Sequence, residues 1–512
     1  MARLRLHHDA GPAASALAEP MDNWIVRERR TDEPTDGARQ ELVLDAGPFR
    51  SWHRTIETDP HSGAVVEEID FHLATPGLAT PFGWLYRWAL GRPLDRRSHG
   101  PFWAPPERFD ATGARAFTLL IVATMAAAYL GTLLSQTITF VADDFDADRT
   151  TQGLVTGLTR IGALLALAVV TIADRAGRRR MLVTAGTASA VFAASAALSP
   201  SIWFFGGAEL LSRGFATGFG LLIGIFAAEE APAGSRAWTA SILALFAGLG
   251  SGMVLWLVPV ADSGEGNWRI LFVVALVIVP IVWRLGRTLP ESRRFATLSE
   301  SEAAPAPITS SMRRRFGMLA VVSFATALFA APASNFQNEY LRDERGFSGA
   351  RISLFSSVTS TPIGIGVAIF GPLADRRGRR IIGAIGIIGG VTFSVLRYGF
   401  AGPVMWIAGT LGTIIGAATI PALGVYGPEL FPTSRRGLAN GLLTCVAVVG
   451  SMIGLAVVGA LSDRWSFGSS FAVIAIVPLA AVLMLRWYPE TANRALEELN
   501  PEDETPPGPL TA

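Results

Sequence analysis

Two kinds of patterning divide this chain. From about residue 115 onward, long apolar stretches alternate with short charged loops. Before that, apolar and polar positions alternate over short runs. The apolar stretches lie near 116–141, 151–173, 181–199, 202–228, 237–260, 268–288, 316–338, 351–374, 381–400, 403–428, 437–461 and 468–488. Each has about 20 residues or more, enough to cross a hydrocarbon core as a helix, which satisfies its own backbone polar groups there. Twelve transmembrane helices are therefore expected: an all-α membrane protein. The earlier alternation predicts strands over 24–30, 41–45, 51–59 and 64–74. In the last of these, Ile69, Phe71 and Leu73 share one face while Glu68, Asp70 and His72 share the other, the period of a half-buried strand. Asp59-Pro-His-Ser-Gly63 has the chemistry of a turn. Pro81 opens a helix with Phe82, Leu85, Tyr86, Ala89 and Leu90 at helical spacing. A small α+β extension is expected over 1–100, with a Pro-rich linker over 101–114.

The membrane part repeats itself. Gly371-Pro-Leu-Ala-Asp-Arg-Arg-Gly-Arg-Arg380 has a degraded copy in Thr171-Ile-Ala-Asp-Arg-Ala-Gly-Arg-Arg-Arg180. Glu229-Glu-Ala-Pro-Ala-Gly-Ser-Arg236 pairs with Glu429-Leu-Phe-Pro-Thr-Ser-Arg-Arg436, and Pro290-Glu-Ser292 with Pro489-Glu-Thr491. Three pairs at one offset of about 200 residues mean an internal duplication. The expected units are a six-helix bundle over 115–288, a central loop over 289–315, a second six-helix bundle over 316–488 and a tail over 489–512.

Composition sharpens this picture. Only 17% of residues are charged and 50% are apolar, where a soluble protein carries about a quarter charged. The net charge of +1 invites no nucleic-acid partner. The single cysteine, Cys445, excludes a disulfide framework and a cysteine-based metal site. No metal or cofactor is expected. No basic-then-apolar leader opens the chain, so no cleavable signal is expected. All 43 basic residues are arginine. Among the apolar stretches they gather in the loops after the even-numbered ones, at Arg175, Arg178–Arg180, Arg287, Arg293, Arg294, Arg313–Arg315, Arg376, Arg377, Arg379 and Arg380. The positive-inside rule then puts both termini in the cytoplasm of a multi-pass protein of the cell (inner) membrane.

These motifs carry a family resemblance. Gly371 to Arg380 matches without a miss the loop motif of the major facilitator superfamily, glycine-x-leucine-alanine-aspartate-arginine-x-glycine-arginine-arginine. The N-terminal copy departs in having Val170 where that motif has its first glycine. Leu289-Pro-Glu-Ser-Arg-Arg-Phe295, Tyr426-Gly-Pro-Glu-Leu-Phe-Pro-Thr433, Pro489-Glu-Thr491 and Leu496-Glu-Glu498 are similar to motifs of its sugar-porter and organic-ion branch. The resemblance covers roughly 115–498. It implies a transporter, not an enzyme, made of two pseudo-repeats that gives its solute alternating access. The extension resembles part of the helix-grip, polyketide-cyclase-like superfamily, whose domains enclose a lipid-like ligand. That resemblance rests on the strand and helix pattern with Gly47-Pro-Phe-Arg-Ser-Trp52. A plain cytoplasmic domain, a ligand-sensing remnant, and a helix with Trp84, Trp88 and Arg87 lying along the membrane all remain open.

The resemblance also implies a gate. Asp174 and Asp375 end a membrane helix and precede turns at Gly177 and Gly378, where a carboxylate can meet a helix N-terminus. Arg178, Arg379, Arg236 and Arg436 can bridge to Glu229, Glu429, Glu291 and Glu490. Gly371, Arg175 and Arg376 complete the motif. Such wet pairs are each worth about 0–1 kcal/mol, which suits a gate that must open. Three charges inside apolar stretches matter here: Arg160 mid-way through the second, and Glu209 and Arg213 one turn apart in the fourth. A central charge costs about 2.5–3.5 kcal/mol on insertion scales, so Glu209 is expected to pair with Arg160, Arg213 or both. None has a charged counterpart in the second half. Glu209 is the candidate protonatable group, with Arg213 and Arg160 in coupling roles; a static ion pair is the alternative.

On the solute side the candidates are Asn335, Gln337 and Asn338, ending the seventh stretch. An interfacial anchor at Tyr340 is the other reading of that segment. Ser356, Ser357, Thr359, Ser360 and Thr361 either line a cavity or bond back to their own helix. Gly248, Gly252, Gly450 and Gly454 read as faces of close helix approach. The function expected is proton-coupled secondary transport of a small polar organic solute, sugar-like or organic-ion-like. Efflux antiport and uncoupled facilitation stay open. A membrane-tethered sensor using the extension is the alternative of another class.

Overall fold

The structure is a computed structural model. It describes residues 2–9, 17, 19–31, 39–59, 64–75, 79–92, 100–101, 104–147, 151, 155, 157–159, 161–289, 291, 308–337, 340–347, 349–462, 464–494 and 496–500. The chain divides into two compact units, Met1–Leu120 with Glu230–Ser235, and Ile121–Glu229 with Arg236–Ala512.

In the first unit five antiparallel strands form one sheet: β1 Ala2–His8, β2 Arg27–Arg30, β3 Arg39–Ala46, β4 Phe49–Thr58 and β5 Val65–Leu73, in the order β1-β5-β4-β3-β2. Four of them fall on the predicted strands. β1 was not expected, although its alternating Leu and Arg is itself a strand pattern. Helix α1, Ala79–Leu90, packs Ala89 and Leu90 into a core of Phe49, Trp52, Ile69, Phe71 and Leu73. That face also holds charge. Arg54 of β4 is fully buried and donates to Glu67 Oε1 at 2.7 Å and to Glu28 Oε2 at 3.0 Å. Trp52 Nε1 donates to Glu28 Oε1 at 2.7 Å, and burial pushes the Glu28 carboxyl above the usual range. Aromatic rings and this ion cluster fill that face.

Two neighbouring residues tie the end of this unit down. Arg108 donates to the Asn23 carbonyl at 2.6 Å and to Asp22 Oδ1 at 2.5 Å. Glu107 N donates to Ser235 Oγ at 2.8 Å, Ser235 Oγ donates to the Glu107 carbonyl at 2.8 Å, and Gly234 N donates to Glu107 Oε2 at 2.7 Å.

The rest is helical: α2 Ala111–Asp144, α3 Leu165–Ala176, α4 Arg178–Ala196, α5 Ile202–Glu230, α6 Arg236–Asp262, α7 Trp268–Val274, α8 Ile278–Thr288, α9 Ser310–Asn335, α10 Gly349–Ser360, α11 Ile363–Arg377, α12 Arg379–Gly399, α13 Pro403–Gly416, α14 Thr419–Leu423, α15 Tyr426–Glu429, α16 Arg436–Ser462, α17 Phe467–Ile474, α18 Ile476–Ala481 and α19 Leu496–Leu499. Among the described residues, ten helices are long and apolar enough to cross a membrane. The expected second and third spans are not among them. Arg160 and several neighbours of the second lie outside the described residues. The third, α4, opens on three arginines and continues in alanine, serine and threonine. The eighth stretch is two helices, α10 and α11, parted at Thr361-Pro362, where proline has no N–H to continue the ladder.

Helix contacts correct the glycine reading. A Cβ on Gly450 or Gly454 of α16 would lie 2.7 Å from the Phe324 carbonyl oxygen or 2.0 Å from that of Leu328, both in α9. Gly248 and Gly252 of α6 face open space. Gly250 between them makes the approach instead: a Cβ there would collide with the Met125 carbonyl oxygen of α2. The face is half a turn from the one expected, because a small-residue pattern does not say which side of the helix meets its neighbour.

Candidate functional site

The two copies of the repeated motif fold alike. α3 ends at Ala176, Gly177 takes φ +99°, and α4 begins at Arg178. α11 ends at Arg377, Gly378 takes φ +98°, and α12 begins at Arg379. A positive φ of this kind strains any residue with a Cβ. At Gly378 a Cβ would also come within 2.8 Å of Glu490 Oε2.

Each motif aspartate reaches into the other half of the bundle. Asp174 Oδ2 accepts from Leu438 N at 3.2 Å, at the N-terminus of α16. Asp375 accepts from Ala237 N at 3.2 Å and Trp238 N at 2.9 Å, at the N-terminus of α6. Free amides and the helix dipole favour a carboxylate at both places.

Arginines close the circuit. Arg178 pairs with Glu229 and stands 3.5 Å from Asp174, and its Nη2 donates to the Thr433 carbonyl at 2.8 Å. Arg436, the first residue of α16, pairs with Glu229 from across the halves. In the other corner Arg379 pairs with Glu429, bonds Asp375 at 3.0 Å and donates to Thr491 Oγ1 at 2.9 Å. Arg236, the first residue of α6, crosses to Glu429 at 3.5 Å. The corners are Asp174–Arg178–Glu229–Arg436 and Asp375–Arg379–Glu429–Arg236, each spanning both halves. The four arginines are 0–3% exposed. They are not the wet pairs assumed from the sequence. Removing one partner of such a buried pair costs about 3–5 kcal/mol, because a charge is left behind without compensation.

Glu291 and Glu490 also reach backbone amides, a part not expected of them. Glu291 Oε1 accepts from Arg178 N at 3.1 Å and Arg179 N at 3.0 Å. Glu490 accepts from Arg379 N at 3.0 Å and Arg380 N at 3.3 Å. Each cradles the start of a helix whose preceding residue, a glycine, has no side chain to cap it. Arg175 and Arg376 are exposed.

The motif's first glycine explains itself here. A Cβ on Gly371 would fall 2.0 Å from Ser241 Oγ of α6. Val170 holds the equivalent place in α3, and it faces Gly441 of α16, whose own Cβ would lie 2.9 Å from Val170 Cγ2. The glycine lost from one helix reappears on its partner, so the helices still approach closely.

Away from this end, Glu209 in α5 is 1% exposed and its Oε1 has no hydrogen-bond partner. The Arg213 guanidinium, one turn on, acts on it electrostatically. Arg160 lies outside the described residues, so the expected pairing with it is not described. A cavity of about 240 Å³ lies between the halves, lined by Arg236, Thr124, Thr239 and Pro428 among others. A second, of about 520 Å³, lies within the C-terminal half and is lined by Gln337, Ser360, Ser394, Arg397 and Thr413 among others. Of the expected solute residues, Gln337 borders it. Asn335 is exposed and donates to the Ala331 carbonyl of its own helix at 2.8 Å. Asn338 lies outside the described residues. Ser356 accepts from Gln337 Nε2 at 3.0 Å, while Thr359 bonds back to Phe355. Tyr340 is 1% exposed, with its hydroxyl on the Arg397 carbonyl at 3.0 Å, so it is packed inside rather than anchored at a surface. The sequence reading missed Arg397; its place near the end of a long apolar run was the available signal.

Comparison with known proteins places this architecture. The profile of the Major Facilitator Superfamily matches residues 117–337 and 318–511. The chain belongs to that superfamily. Such proteins are transporters, and this member is one by family, not an enzyme. Residues 1–116 lie outside the match. Among curated relatives, a D-xylose transporter of Levilactobacillus brevis is 29% identical over 173 residues, 33% of this chain and 37% of that protein. A multidrug efflux pump, LfrA, of Mycolicibacterium smegmatis is 30% identical over 185 residues, 35% of this chain and 36% of that protein. A putative metabolite transport protein of Haemophilus influenzae is 28% identical over 288 residues, 52% of this chain and 66% of that protein. The matches thus span about a third to two thirds of these relatives' lengths. Among solved structures, the proton:xylose symporter XylE superposes with TM-score 0.64 at 18% identity, over 76% of this chain and 99% of that one. The Escherichia coli fucose:proton symporter FucP does so with TM-score 0.58 at 14% identity, over 73% and 99%. At these identities the likeness is one of fold.

Proposed function

We propose that this superfamily member is a proton-coupled secondary transporter of a small polar organic solute, sugar-like or organic-ion-like, working by alternating access. Twelve spans, with both termini in the cytoplasm, are the arrangement this reading requires. The observation that carries it is the pair of corners. Each holds one half of the bundle to the other through a capped helix start and a shared glutamate. A static bundle needs no such duplicated clasp, whereas a rocking one needs contacts that close one end and can be broken together. With the positive-inside orientation, the clasp shuts the cytoplasmic end. XylE and FucP, which share the fold, are proton symporters by name.

Glu209 takes the coupling role in this reading. It is buried, carries an unpartnered oxygen and has Arg213 one turn away. A proton would neutralise it there, and its release would restore the charge beside Arg213. Purified protein in liposomes with an imposed proton gradient tests this. Glu209→Gln is expected to abolish uphill accumulation while leaving solute exchange. If Glu209→Gln still accumulates solute against its gradient, Glu209 does not couple. Direction is tested in the same liposomes, because the relative LfrA is an efflux pump by name: gradient-driven export in place of uptake would make this chain an antiporter.

A further inference from the structure

Arg397 sits in the last turn of α12, inside a helix apolar enough to span a membrane. An arginine in such a helix needs a partner. Among the described residues no carboxylate pairs with it. Its Nη1 donates to Gln337 Oε1 at 2.8 Å and its Nη2 to the Ala333 carbonyl at 2.9 Å, both in the segment that ends the seventh stretch. Gln337 is itself held, because its Nε2 donates to Ser356 at 3.0 Å, which turns its oxygen towards the guanidinium. The guanidinium is thus fixed in orientation by neutral acceptors and by the Tyr398 ring, whose centroid lies 4.8 Å from its carbon. Its Nε is buried with no hydrogen-bond partner. The side chain borders the cavity of about 520 Å³ in the C-terminal half, beside the hydroxyls of Ser360, Ser394 and Thr413. Nor does the repeat require a charge here: the motif offset of 201 (Asp174 to Asp375) puts Ala196 at the equivalent place in α4.

We infer that Arg397 is the anion-recognising group of a solute subsite in this cavity, and that the solute carries a carboxylate or phosphate next to hydroxyl groups. The guanidinium N–H groups not used by Gln337 and Ala333 are charged donors, which suit the oxygens of an anion. Gln337 and the Ala333 carbonyl hold the guanidinium plane, and Ser360, Ser394 and Thr413 meet the hydroxyls. This rests on the transport reading, whose solute class it narrows from polar to anionic.

Paired probes on purified full-length protein test it: xylose against xylonate, and glycerol against glycerol phosphate, followed by thermal shift and by titration. One or both acids are expected to raise the unfolding temperature and their neutral partners to leave it unchanged. Arg397→Gln should weaken the binding acid about tenfold or more, as loss of a charge-assisted bond predicts, and Arg397→Lys should weaken it less. Should Arg397→Gln fold poorly, the wild-type protein still answers. The binding acid should slow phenylglyoxal modification of the peptide that carries Arg397, read by mass spectrometry. The proposal is overturned if no acid binds, if neutral partners bind as well as the acids, or if Arg397 is neither needed nor protected. Uptake of the binding acid into liposomes separates the two readings. An acid bound through Arg397 but never moved would sink transport and leave the anion subsite standing.

Discussion

At the Asp174 corner a valine of α3 lies against a glycine of α16. At the Asp375 corner a glycine of α11 lies against a serine of α6. The same two helix crossings, related by the repeat, reach the same close approach with the small residue on opposite partners. A second difference sits beside it. Glu229 is held by two arginines at short range, Arg178 and Arg436. Glu429 is held closely by Arg379, with Arg236 at 3.5 Å. What the duplication has kept is the spacing between helices and the charge balance of each corner, not the identity of the residue that supplies them. A motif read along one segment therefore looks degraded at Val170, although the crossing it serves is intact.

The largest effect that tests this contrast is expected at the arginines. Arg379→Ala strips Glu429 of its close partner and should cost about 3–5 kcal/mol. Arg178→Ala leaves Arg436 on Glu229 and should cost less. Thermal unfolding of the two variants ranks them, and equal losses would erase the difference between the corners. Next come the crossings. Gly371→Val should overpack the crossing with α6 and destabilise by about 1–3 kcal/mol. Adding Ser241→Gly should recover most of that loss, since the pair then copies Val170 and Gly441. A double variant no better than Gly371→Val alone would mean that the two corners are not interchangeable. Smallest are the helix starts: Glu291→Gln and Glu490→Gln should each cost about 1 kcal/mol, the worth of a cap with its charge. A much larger loss from either would show that it carries more than the helix start.

Much of the membrane fold was legible because lipid forces long apolar runs and because the motifs occur twice. Asp174, Arg178, Asp375 and Arg379 were readable as a set for the same reason. Their partners were less so. Whether Glu291 meets a guanidinium or a row of amides depends on where one helix begins relative to another chain segment. The burial that changes the energetics of Arg436 depends on helices hundreds of residues away. Arg54 and Glu67 were hidden for a different reason: each stands on the inward face of its strand, where alternation predicts an apolar residue. Arg397 was overlooked because it stands close to the end of an apolar run, where arginine is ordinarily read as an anchor.

The clasp formed by Glu107 with Gly234 and Ser235 joins residues far apart in the chain. Ser235 is joined by one peptide bond to Arg236, the residue that opens α6 and reaches for Glu429. The same short segment, through Arg108, grips the loop at Asp22 and Asn23 that leads into the sheet. Within its own unit the sheet is thus tied, through Glu107 and Arg108, to the Glu230–Ser235 segment. Cutting the chain before Glu107 keeps the clasp on Gly234 and Ser235; cutting it after Arg108 removes that clasp together with the sheet.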